Sequence, residues 1–402
     1  MSEQEKKLKY KFPAGFLLGV ATSSHQIEGG NENDWTAWEL AWKGRPGGPA
    51  DLSGRACNSW ELYERDIEMA GELHCKLYRF SIEWSRVEPR EGHFDKTALR
   101  RYHQMARVCK KRGIEPLVKL HHFTNPQWFA ARGGWRGKHA PDLFRRYAAR
   151  VAKEMGNDVK LWCTINEPLI YTYNSFWKGK WPPQKKSYFA FRRALKNLSL
   201  AHKKAYETLH DANPAARVSI AKNNQFFESY LDTWLNKQAV KIIRYFWNRS
   251  FLNSIRGAMD YIGLNYYFHN VVRFSGHGYA LMNKNKQTSD LGWEIYPRGL
   301  YQTLKELQTY QLPVYILENG LADADDSRRA NFIRVHLREA HRAIADGVDV
   351  RGYCHWSLLD NFEWAEGFAP KFGLYAVDFK TFKRVPRPSA GVYAEICKNN
   401  GF

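Results

Sequence analysis

The amino-acid sequence predicts a fold of the α/β class, a (β/α)8 TIM barrel that forms a single domain over residues 1–402. Three observations predict it: eight short apolar runs alternate with amphipathic helical patterns, no long linker interrupts the alternation, and polar residues stand where the apolar runs end. Strands buried on both faces of a parallel sheet are nearly continuous apolar runs, and regular alternation of strand and helix favours such a sheet. The length of 402 residues fits one barrel, since barrels often exceed an average domain.

The apolar runs give eight predicted strands. They are Phe16–Ser23, Leu77–Trp84, Glu115–His122, Leu161–Asn166, Arg217–Asn223, Met259–Tyr267, Val314–Glu318 and Arg351–Ser357. The amphipathic patterns give eight predicted helices, which are Ser59–Leu73, Asp95–Arg112, Pro141–Met155, Tyr188–His210, Thr233–Ile255, Gly299–Tyr310, Arg328–Ala345 and Ala390–Lys398. In the second helix, apolar residues recur every three or four positions, at Leu99, Tyr102, Met105, Ala106 and Cys109. This is the spacing of a helix with one buried face.

Charge and hydropathy limit the class of partner. The formal net charge is +20, and basic clusters such as Lys178, Lys180, Lys185 and Lys186 could attract an anionic polymer or surface. Because the charges are spread along the chain, solvated helix faces are the favoured explanation. No apolar run reaches the length of about 18 residues that a membrane-spanning helix needs. We therefore expect neither a membrane nor a specific nucleic acid as a partner.

The N-terminus and the cysteines predict the cellular compartment of the protein. The N-terminus is charged and lacks the apolar segment of a secretory signal. Six cysteines are scattered without paired spacing, at Cys57, Cys75, Cys109, Cys163, Cys354 and Cys397. This distribution favours reduced, buried thiols over a disulfide framework. We expect a cytoplasmic protein.

Two of the predicted strands lead into a glutamate. Glu167 follows the run LWCTIN and Glu318 follows VYIL, and a Pro or Gly stands within two residues of each acid. Catalytic residues of a closed α/β barrel lie at the carboxyl ends of its strands, so the two carboxyls are expected on one rim. Two opposed carboxyls are what cleavage of a glycosidic bond requires.

Four motifs stand in order along the chain: FPAGFLLGVATSSHQIEGG, TINEP, ILENG and HWSLLDNFEWAEGF. Together they resemble glycoside hydrolase family 1, the β-glucosidase-like retaining glycosidases, and the resemblance extends from Phe12 to Ile396. It implies a retaining β-glycosidase, most of all a β-glucosidase, with β-galactosidase or β-fucosidase activity as well. Such an enzyme hydrolyses β-D-glycosides through a covalent glycosyl-enzyme.

The same resemblance implies roles for individual residues. Glu167 in TINEP is expected as the acid/base and Glu318 in ILENG as the nucleophile. Arg79 in YRFSIEW matches the arginine beside the nucleophile, where a fixed cation favours the charged carboxylate. Tyr267 in LNYY matches the tyrosine that donates a hydrogen bond to that carboxylate. Neither a metal ion nor an organic cofactor is implied, because the two carboxyls supply the nucleophile and the proton.

The resemblance also implies a sugar pocket. The expected substrate-binding residues are Gln26, His121, Asn166, Asn265, Trp356, Glu363, Trp364 and Phe372. Asn166 is expected at the 2-hydroxyl and Trp356 beneath the sugar ring. A carboxylate at position 363 would repel a phosphate at the sugar's 6-position, so we expect an unphosphorylated substrate.

Two segments depart from the family pattern. The chain is short between Asn224 and Asp260, and WPPQKK, residues 181–186, replaces the usual loop sequence. Since loops after the strands build the rim of a barrel, we expect a more open aglycone side. Two other interpretations stay open: a non-catalytic glycan-binding protein on the same barrel, and a binder of anionic polymers through the basic surface. Intact Glu167, Glu318, Arg79 and Tyr267 disfavour the first of these.

Overall fold

A computed structural model describes residues 8–275 and 278–402, and eight parallel strands form its centre. They are β1 (Leu17–Ala21), β2 (Leu77–Ser81), β3 (Glu115–His121), β4 (Leu161–Asn166), β5 (Arg217–Asn223), β6 (Ile262–Asn265), β7 (Val314–Asn319) and β8 (Val350–Trp356). Each strand pairs with its neighbours in the chain, and β8 pairs with β1, so the sheet closes on itself. The predicted barrel fold is confirmed.

One long helix follows each barrel strand. These helices are α1 (Ser59–Glu72), α2 (Lys96–Lys111), α3 (Ala140–Met155), α4 (Tyr188–Ala212), α5 (Trp234–Arg244), α6 (Pro297–Leu307), α7 (Arg329–Ala345) and α8 (Pro388–Asn399). In α2 the side chain of Asp95 accepts hydrogen bonds from the backbone N–H groups of Thr97 and Ala98, which satisfies donors that have no partner inside the helix. The apolar stripe predicted for α2 is buried, so its one-sided pattern is confirmed.

Several predicted boundaries are wrong. The second strand was expected to reach Trp84 but ends at Ser81, because Trp84 begins a short helix, Trp84–Val87. The sixth strand is Ile262–Asn265 instead of Met259–Tyr267. The helix predicted over Thr233–Ile255 is interrupted: α5 ends at Arg244, and a π-helical turn (Tyr245–Arg249) and a short helix (Ser250–Ser254) follow.

The rim carries further elements that the strand–helix pattern does not contain. A three-stranded sheet is formed by Phe226–Ser229, His269–Ser275 and Gly278–Leu281, and a two-stranded sheet by Tyr375–Val377 and Arg384–Pro386. Short helical segments complete the rim, at Ser24–Ile27, Asp34–Trp42, Gln127–Ala131, Gly134–Arg136, Pro168–Thr172, Tyr173–Lys178 and Trp364–Glu366, whereas the turn Gln308–Tyr310 continues α6 toward the start of β7. Most of them follow the carboxyl end of a barrel strand, so they surround the predicted site.

The barrel has two apolar cores. One fills its interior with Leu77, Leu117, Leu161, Leu317 and neighbouring side chains, and the larger one lies between the strands and the helices. All six cysteines are free and buried. In the described part of the chain, no helix combines the length and the apolar character that crossing a bilayer demands.

Candidate active site

The carboxyl ends of β4 and β7 bring the two predicted glutamates to one cavity. Glu167 directly follows β4, and Glu318 is the penultimate residue of β7. In both strands the pairing register shifts just before the acid, between Cys163 and Asn166 on β4 and between Ile316 and Glu318 on β7. Such irregularities redirect a side chain that regular alternation would send elsewhere. Glu167 and Glu318 both line a cavity of about 220 Å³.

Two backbone features accompany the acids. Glu167 has a left-handed backbone conformation, with φ at 41°, which costs a residue other than glycine about 1–3 kcal/mol. Glycine is required at position 320, because a Cβ atom there would lie 1.7 Å from the carbonyl oxygen of Trp356. The glycine of ILENG therefore lets β7 pass directly beside the last residue of β8, and Glu318 and Trp356 both reach the cavity.

Glu318 is held by a cation and a phenol. One guanidinium nitrogen of Arg79 forms a buried ion pair with Glu318 Oε1, and the hydroxyl of Tyr267 donates to Oε2 at 3.0 Å. Burial opposes the charge on Arg79, but its surroundings, above all the charge and hydrogen bond of Glu318, together hold the pKa of Arg79 above its ordinary value. Burial and the charge of Glu318 keep the pKa of Tyr267 well above its usual range. Tyr267 is therefore a donor to the carboxylate.

Glu167 has neutral neighbours instead. Its Oε1 atom accepts hydrogen bonds from the side-chain amides of Asn265, at 2.8 Å, and Asn223, at 3.1 Å. Burial, and secondly the negative charge of Glu318, raise the pKa of Glu167 to about 7. The two amide donors lower it, but they do not outweigh burial. Glu167 can therefore release and regain a proton near neutral pH.

Asn166 connects the two acids to the predicted sugar pocket. Its Oδ1 atom accepts a hydrogen bond from Arg79 at 2.5 Å and a longer one from Asn265 at 3.4 Å. Its amide nitrogen lies 3.3 Å from Nε2 of His122. Because an amide nitrogen only donates, Nε2 of His122 accepts and Nδ1 carries the hydrogen. Burial holds the pKa of His122 well below its usual range, so the ring is neutral.

Gln26 and Glu363 form a polar corner of the site. Gln26 donates to Glu363 Oε2 at 3.2 Å and to the carbonyl oxygen of Phe362 at 2.9 Å. Burial, followed by the negative charge of Glu318, raises the pKa of Glu363 to about 8. A protonated Glu363 repels a phosphate less than the sequence argument assumed. However, the described residues that line the cavity include no Lys or Arg that could bind a phosphate.

Most, but not all, of the predicted site residues line the cavity. Those that do are Asn166, Glu167, Tyr267, Glu318, Trp356, Glu363, Trp364 and Phe372. Arg79, Gln26 and Asn265 lie behind this lining, where each contacts one of the carboxyls. Asn265 was expected to bind the sugar, but its side chain donates to Glu167.

The expectation for His121 is wrong. The ring of His121 packs edge-on against Trp135, Phe144 and Tyr171 and bonds to Asn125 at 3.1 Å, so it belongs to the core outside the barrel. The next residue, His122, lines the cavity, and its ring stacks near those of Trp356 and Trp364, at 6.1 and 5.6 Å between centroids. The chain leaves β3 at this point, so strand alternation no longer decides which histidine faces inward.

The sequence did not assign several other lining residues. Asn223 is the last residue of the fifth predicted strand, which was a usable signal, but no role followed from it. The remaining unassigned residues are mostly apolar and come from rim loops: Phe123, Ile170, Asn174, Trp181, Phe268, Trp293, Ala365 and Glu366. Aromatic residues are so common in this chain that sequence alone does not separate these from the core.

Comparison with known proteins identifies the family. The model of glycosyl hydrolase family 1 matches residues 8–261 and 248–402. The chain is 33% identical to β-glucosidase A of Thermotoga maritima over 439 aligned positions, which cover 97% of this chain and 98% of the relative. It is 31% identical to a β-galactosidase of Pyrococcus woesei, over 97% and 98% of the two chains.

Solved structures agree with the family model. The β-glycosidase from Pyrococcus horikoshii superposes with a TM-score of 0.92 at 40% identity, covering 98% of this chain and 96% of that one. The β-glucosidase from Thermotoga maritima in complex with glucoimidazole also gives 0.92, at 30% identity and 98% and 100% coverage. The chain belongs to glycosyl hydrolase family 1.

Proposed function

We propose that this glycoside hydrolase cleaves unphosphorylated β-D-glycosides with retention of configuration, with Glu318 as the nucleophile and Glu167 as the acid/base. The observation that carries the proposal is the unequal environment of two carboxyls in one cavity. Glu318 is paired with the Arg79 cation and the Tyr267 hydroxyl, whereas the pKa of Glu167 is raised to about 7. Unequal environments are how two carboxyl groups take different roles at one pH.

The first step forms the glycosyl-enzyme. A carboxylate oxygen of Glu318 attacks the anomeric carbon, and the bond from that carbon to the aglycone oxygen breaks. Glu167 gives its proton to the departing oxygen, so the aglycone leaves as a neutral alcohol. Tyr267 and Arg79 orient the attacking carboxylate, because each contacts a different oxygen of Glu318.

The second step returns the enzyme to its starting state. The negative charge of Glu318 is one cause of the raised pKa of Glu167, and this charge disappears once the ester bond to the sugar has formed. The pKa of Glu167 then falls, and the same group acts as a base. Glu167 takes a proton from water, the oxygen of that water attacks the anomeric carbon, and the bond to Glu318 breaks.

Buried polar atoms without a partner support the assignment of the sugar side. Within residues 8–275 and 278–402, Oε1 of Gln26 and Nδ1 of His122 have no hydrogen-bond partner. Buried polar groups are normally paired, and an acceptor and a donor at this place suit the hydroxyl groups of a sugar. Trp356 and Trp364 offer apolar faces to the ring. The relatives are named both β-glucosidase and β-galactosidase, so we propose glucosides as the main substrates and galactosides as further ones.

The lining residues that the sequence did not assign support an apolar aglycone. Most of them carry no charge, among them Phe123, Ile170, Trp181, Phe268 and Trp293. The alignment with the Thermotoga maritima enzyme spans 439 positions, more than the 402 residues of this chain, so the relative carries segments that this chain lacks. We propose that a shorter rim accepts bulky apolar aglycones. Values of kcat/KM for a series of aryl glucosides of increasing size measure this tolerance, and strict selectivity for the smallest contradicts it.

The configuration of the first-formed product tests the mechanism. The purified chain hydrolyses an aryl β-glucoside while proton NMR follows the anomeric signals. Retention requires that β-glucose appears first and then mutarotates, whereas an initial α-anomer means inversion and overturns the covalent intermediate. If the protein hydrolyses no aryl β-glycoside but still binds glucose, the glycan-binding interpretation replaces the proposal.

We also propose that the chain acts in the cytoplasm as a single domain. Six free, buried cysteines suit a reducing compartment. Fractionation of the source cells tests the location, since recovery of the activity outside the cytoplasm contradicts it.

A further inference from the structure

The outward side of α5 is apolar. Trp234 is 71% exposed and Ile242 69%, and Leu235 and Tyr245 are also exposed. At 100° per residue these positions lie on one side of the helical run. The one fully buried side chain among the residues of α5 is that of Asn236. A helix at the surface of a globular protein normally places its apolar side inward and its polar side outward, so the exposed apolar side chains of α5 depart from that arrangement.

A second exposed apolar group lies next to this helical run. Phe189, at the start of α4, is 84% exposed, and the Trp177 ring lies 5.7 Å from Tyr188 and 6.3 Å from Phe246. Phe246 directly follows Tyr245. A groove of about 730 Å³ separates α4 from the segment 245–254, and Phe189 and Phe246 both line it.

The surroundings of these residues are strongly basic. Residues 173–200 contain seven Lys or Arg and no Asp or Glu, and residues 230–256 contain five Lys or Arg and one acid, Asp232. Asp232 pairs with Lys237 at 2.5 Å. We call this surface the aromatic–basic patch, and its members are Trp177, Tyr188, Phe189, Trp234, Leu235, Ile242 and Tyr245 with the basic residues Lys178, Lys185, Lys186, Arg192, Arg193, Lys196, Lys237 and Lys241.

The patch lies on the active-site rim of the barrel. Asn174 lines the catalytic cavity and belongs to the same helical turn, Tyr173–Lys178, as Trp177. The strand Phe226–Ser229, which precedes α5, also follows the carboxyl end of a barrel strand, β5. The patch and the cavity therefore share one end of the molecule.

We propose that the aromatic–basic patch docks the enzyme peripherally on an anionic lipid bilayer. Exposed Trp, Phe, Leu and Ile side chains gain free energy when they enter the boundary between headgroups and acyl chains, and Lys and Arg beside them are attracted to anionic headgroups. The proposal revises the expectation that no membrane partner exists. That expectation rested on the lack of a spanning segment, and peripheral docking needs none.

Two other occupants fit the patch less well. A second copy of the chain, placed face to face, would bring two sets of basic residues together, and like charges repel. Nucleic acid would satisfy the charges, and its bases stack on aromatic rings. However, Leu235 and Ile242 cannot stack or form hydrogen bonds with side-chain atoms, whereas hydrocarbon accepts them.

Vesicle flotation tests the docking. The full chain is mixed with vesicles of phosphatidylglycerol and phosphatidylcholine in equal parts, or with phosphatidylcholine alone, at low and high salt. We expect at least about tenfold more protein to float with the anionic vesicles at low salt, because apolar burial and charge attraction add. Failure of the chain to float with the anionic vesicles at low salt overturns the proposal and leaves the proposed catalysis untouched.

Variants then separate the apolar contribution from the charges. The triple variant Phe189→Ser, Trp234→Ser, Ile242→Ser should bind anionic vesicles at least about tenfold more weakly. The matched control is Val385→Ser, which alters a residue 47% exposed on the strand Arg384–Pro386, after β8 and far from the patch. It should bind like the unaltered chain. Turnover of a small aryl glucoside by every variant verifies that each is folded, because none of these residues lines the cavity.

Three results contradict the proposal. Unchanged vesicle binding by the triple variant reduces the docking to general electrostatic adsorption. Equal or tighter binding of a single-stranded oligonucleotide, which the triple variant loses, assigns the patch to nucleic acid. A dimer in sedimentation that the triple variant converts to a monomer assigns it to self-association.

Discussion

Glu318 and Glu167 lie in one cavity and are almost equally buried, at 5% and 7% exposure, yet their neighbours differ in kind. Glu318 has the Arg79 cation and a phenolic hydroxyl. Glu167 has two neutral amides, which stabilise a carboxylate less than a guanidinium does. Burial alone therefore does not separate the roles. The neighbours differ, and this difference supports the proposed division into nucleophile and acid/base.

The largest effect is expected when Glu318, the carboxyl with the stronger partners, is removed. Glu318→Ala should lower kcat for an activated aryl glucoside by about 10⁴-fold or more, because no other group can form the covalent intermediate. Steady-state kinetics measure the loss. Glu395→Ala, which alters an exposed glutamate on α8, is the control and should keep full activity. Unchanged turnover by Glu318→Ala would mean that Glu318 is not the nucleophile, and the comparison of the two carboxyls would lose its basis.

The second prediction concerns the proton of Glu167. Glu167→Ala should reduce the hydrolysis of glucosides with poor leaving groups by about 10²–10⁴-fold, because these need protonation of the departing oxygen. Glucosides with very acidic phenols should lose much less in the glycosylation step. The measurement is the dependence of kcat/KM on the pKa of the leaving group. An equal loss for all leaving groups means that Glu167 is not the acid.

The third prediction concerns Tyr267, which can be altered without removing Glu318. Tyr267→Phe deletes the 3.0 Å hydrogen bond to Oε2, and a hydrogen bond to a charged group contributes about 1.5–3 kcal/mol. The expected loss in kcat/KM is about 10–100-fold. Tyr266→Phe is a matched control, because the Tyr266 hydroxyl donates to the backbone of Tyr296 instead. A similar loss of activity per folded molecule in both variants indicates a structural effect only.

The smallest effect is expected when Glu167 loses one of its hydrogen-bond donors. Asn265 donates a hydrogen bond to Glu167 at 2.8 Å, which favours the charged carboxylate and lowers its pKa. Asn265→Ala removes this donor, so the pKa of Glu167 should rise from about 7. The basic limb of the kcat/KM profile should move upward by up to about one pH unit.

The pH profile of kcat/KM measures this shift. Asn270→Ala serves as its control, because Asn270 donates to Gln225 and not to a catalytic carboxyl. A limb that moves downward, or that moves equally in the control, contradicts the role of Asn265.

The fold was predictable because its signals are local. Each barrel strand is a short apolar run, and each long helix carries its own stripe, as α2 does with Leu99, Tyr102 and Cys109. The small sheet of Phe226–Ser229, His269–Ser275 and Gly278–Leu281 was missed. Phe226–Ser229 pairs with His269–Ser275 across a long stretch of chain, and the exposed residues of Gly278–Leu281, which pair with His269–Ser275, provide no apolar run.

The meeting of Glu167 and Glu318 in one cavity was predictable for a different reason. Glu167 and Glu318 stand in motifs whose strand, acid and turn residue are consecutive in sequence. His122 and Asn223 were harder to assign, because the direction of a side chain at a strand end depends on the loop that follows. The packing of His121 against Trp135, Phe144 and Tyr171 is a tertiary fact, and no local pattern in HHFTNP distinguishes the two histidines.

The way Asn166 is held has a consequence for the sugar. Its carbonyl oxygen is occupied by Arg79 and Asn265, and one of its N–H groups donates to His122, so only the second N–H is free to face a ligand. If Asn166 contacts the 2-hydroxyl, as the family resemblance implies, that hydroxyl must act as an acceptor, and its own hydrogen points elsewhere. A sugar with an ammonium group at carbon 2 has no lone pair to offer there. Because Asn166 is held in this way, we expect the enzyme to bind amino sugars less well than the parent sugars.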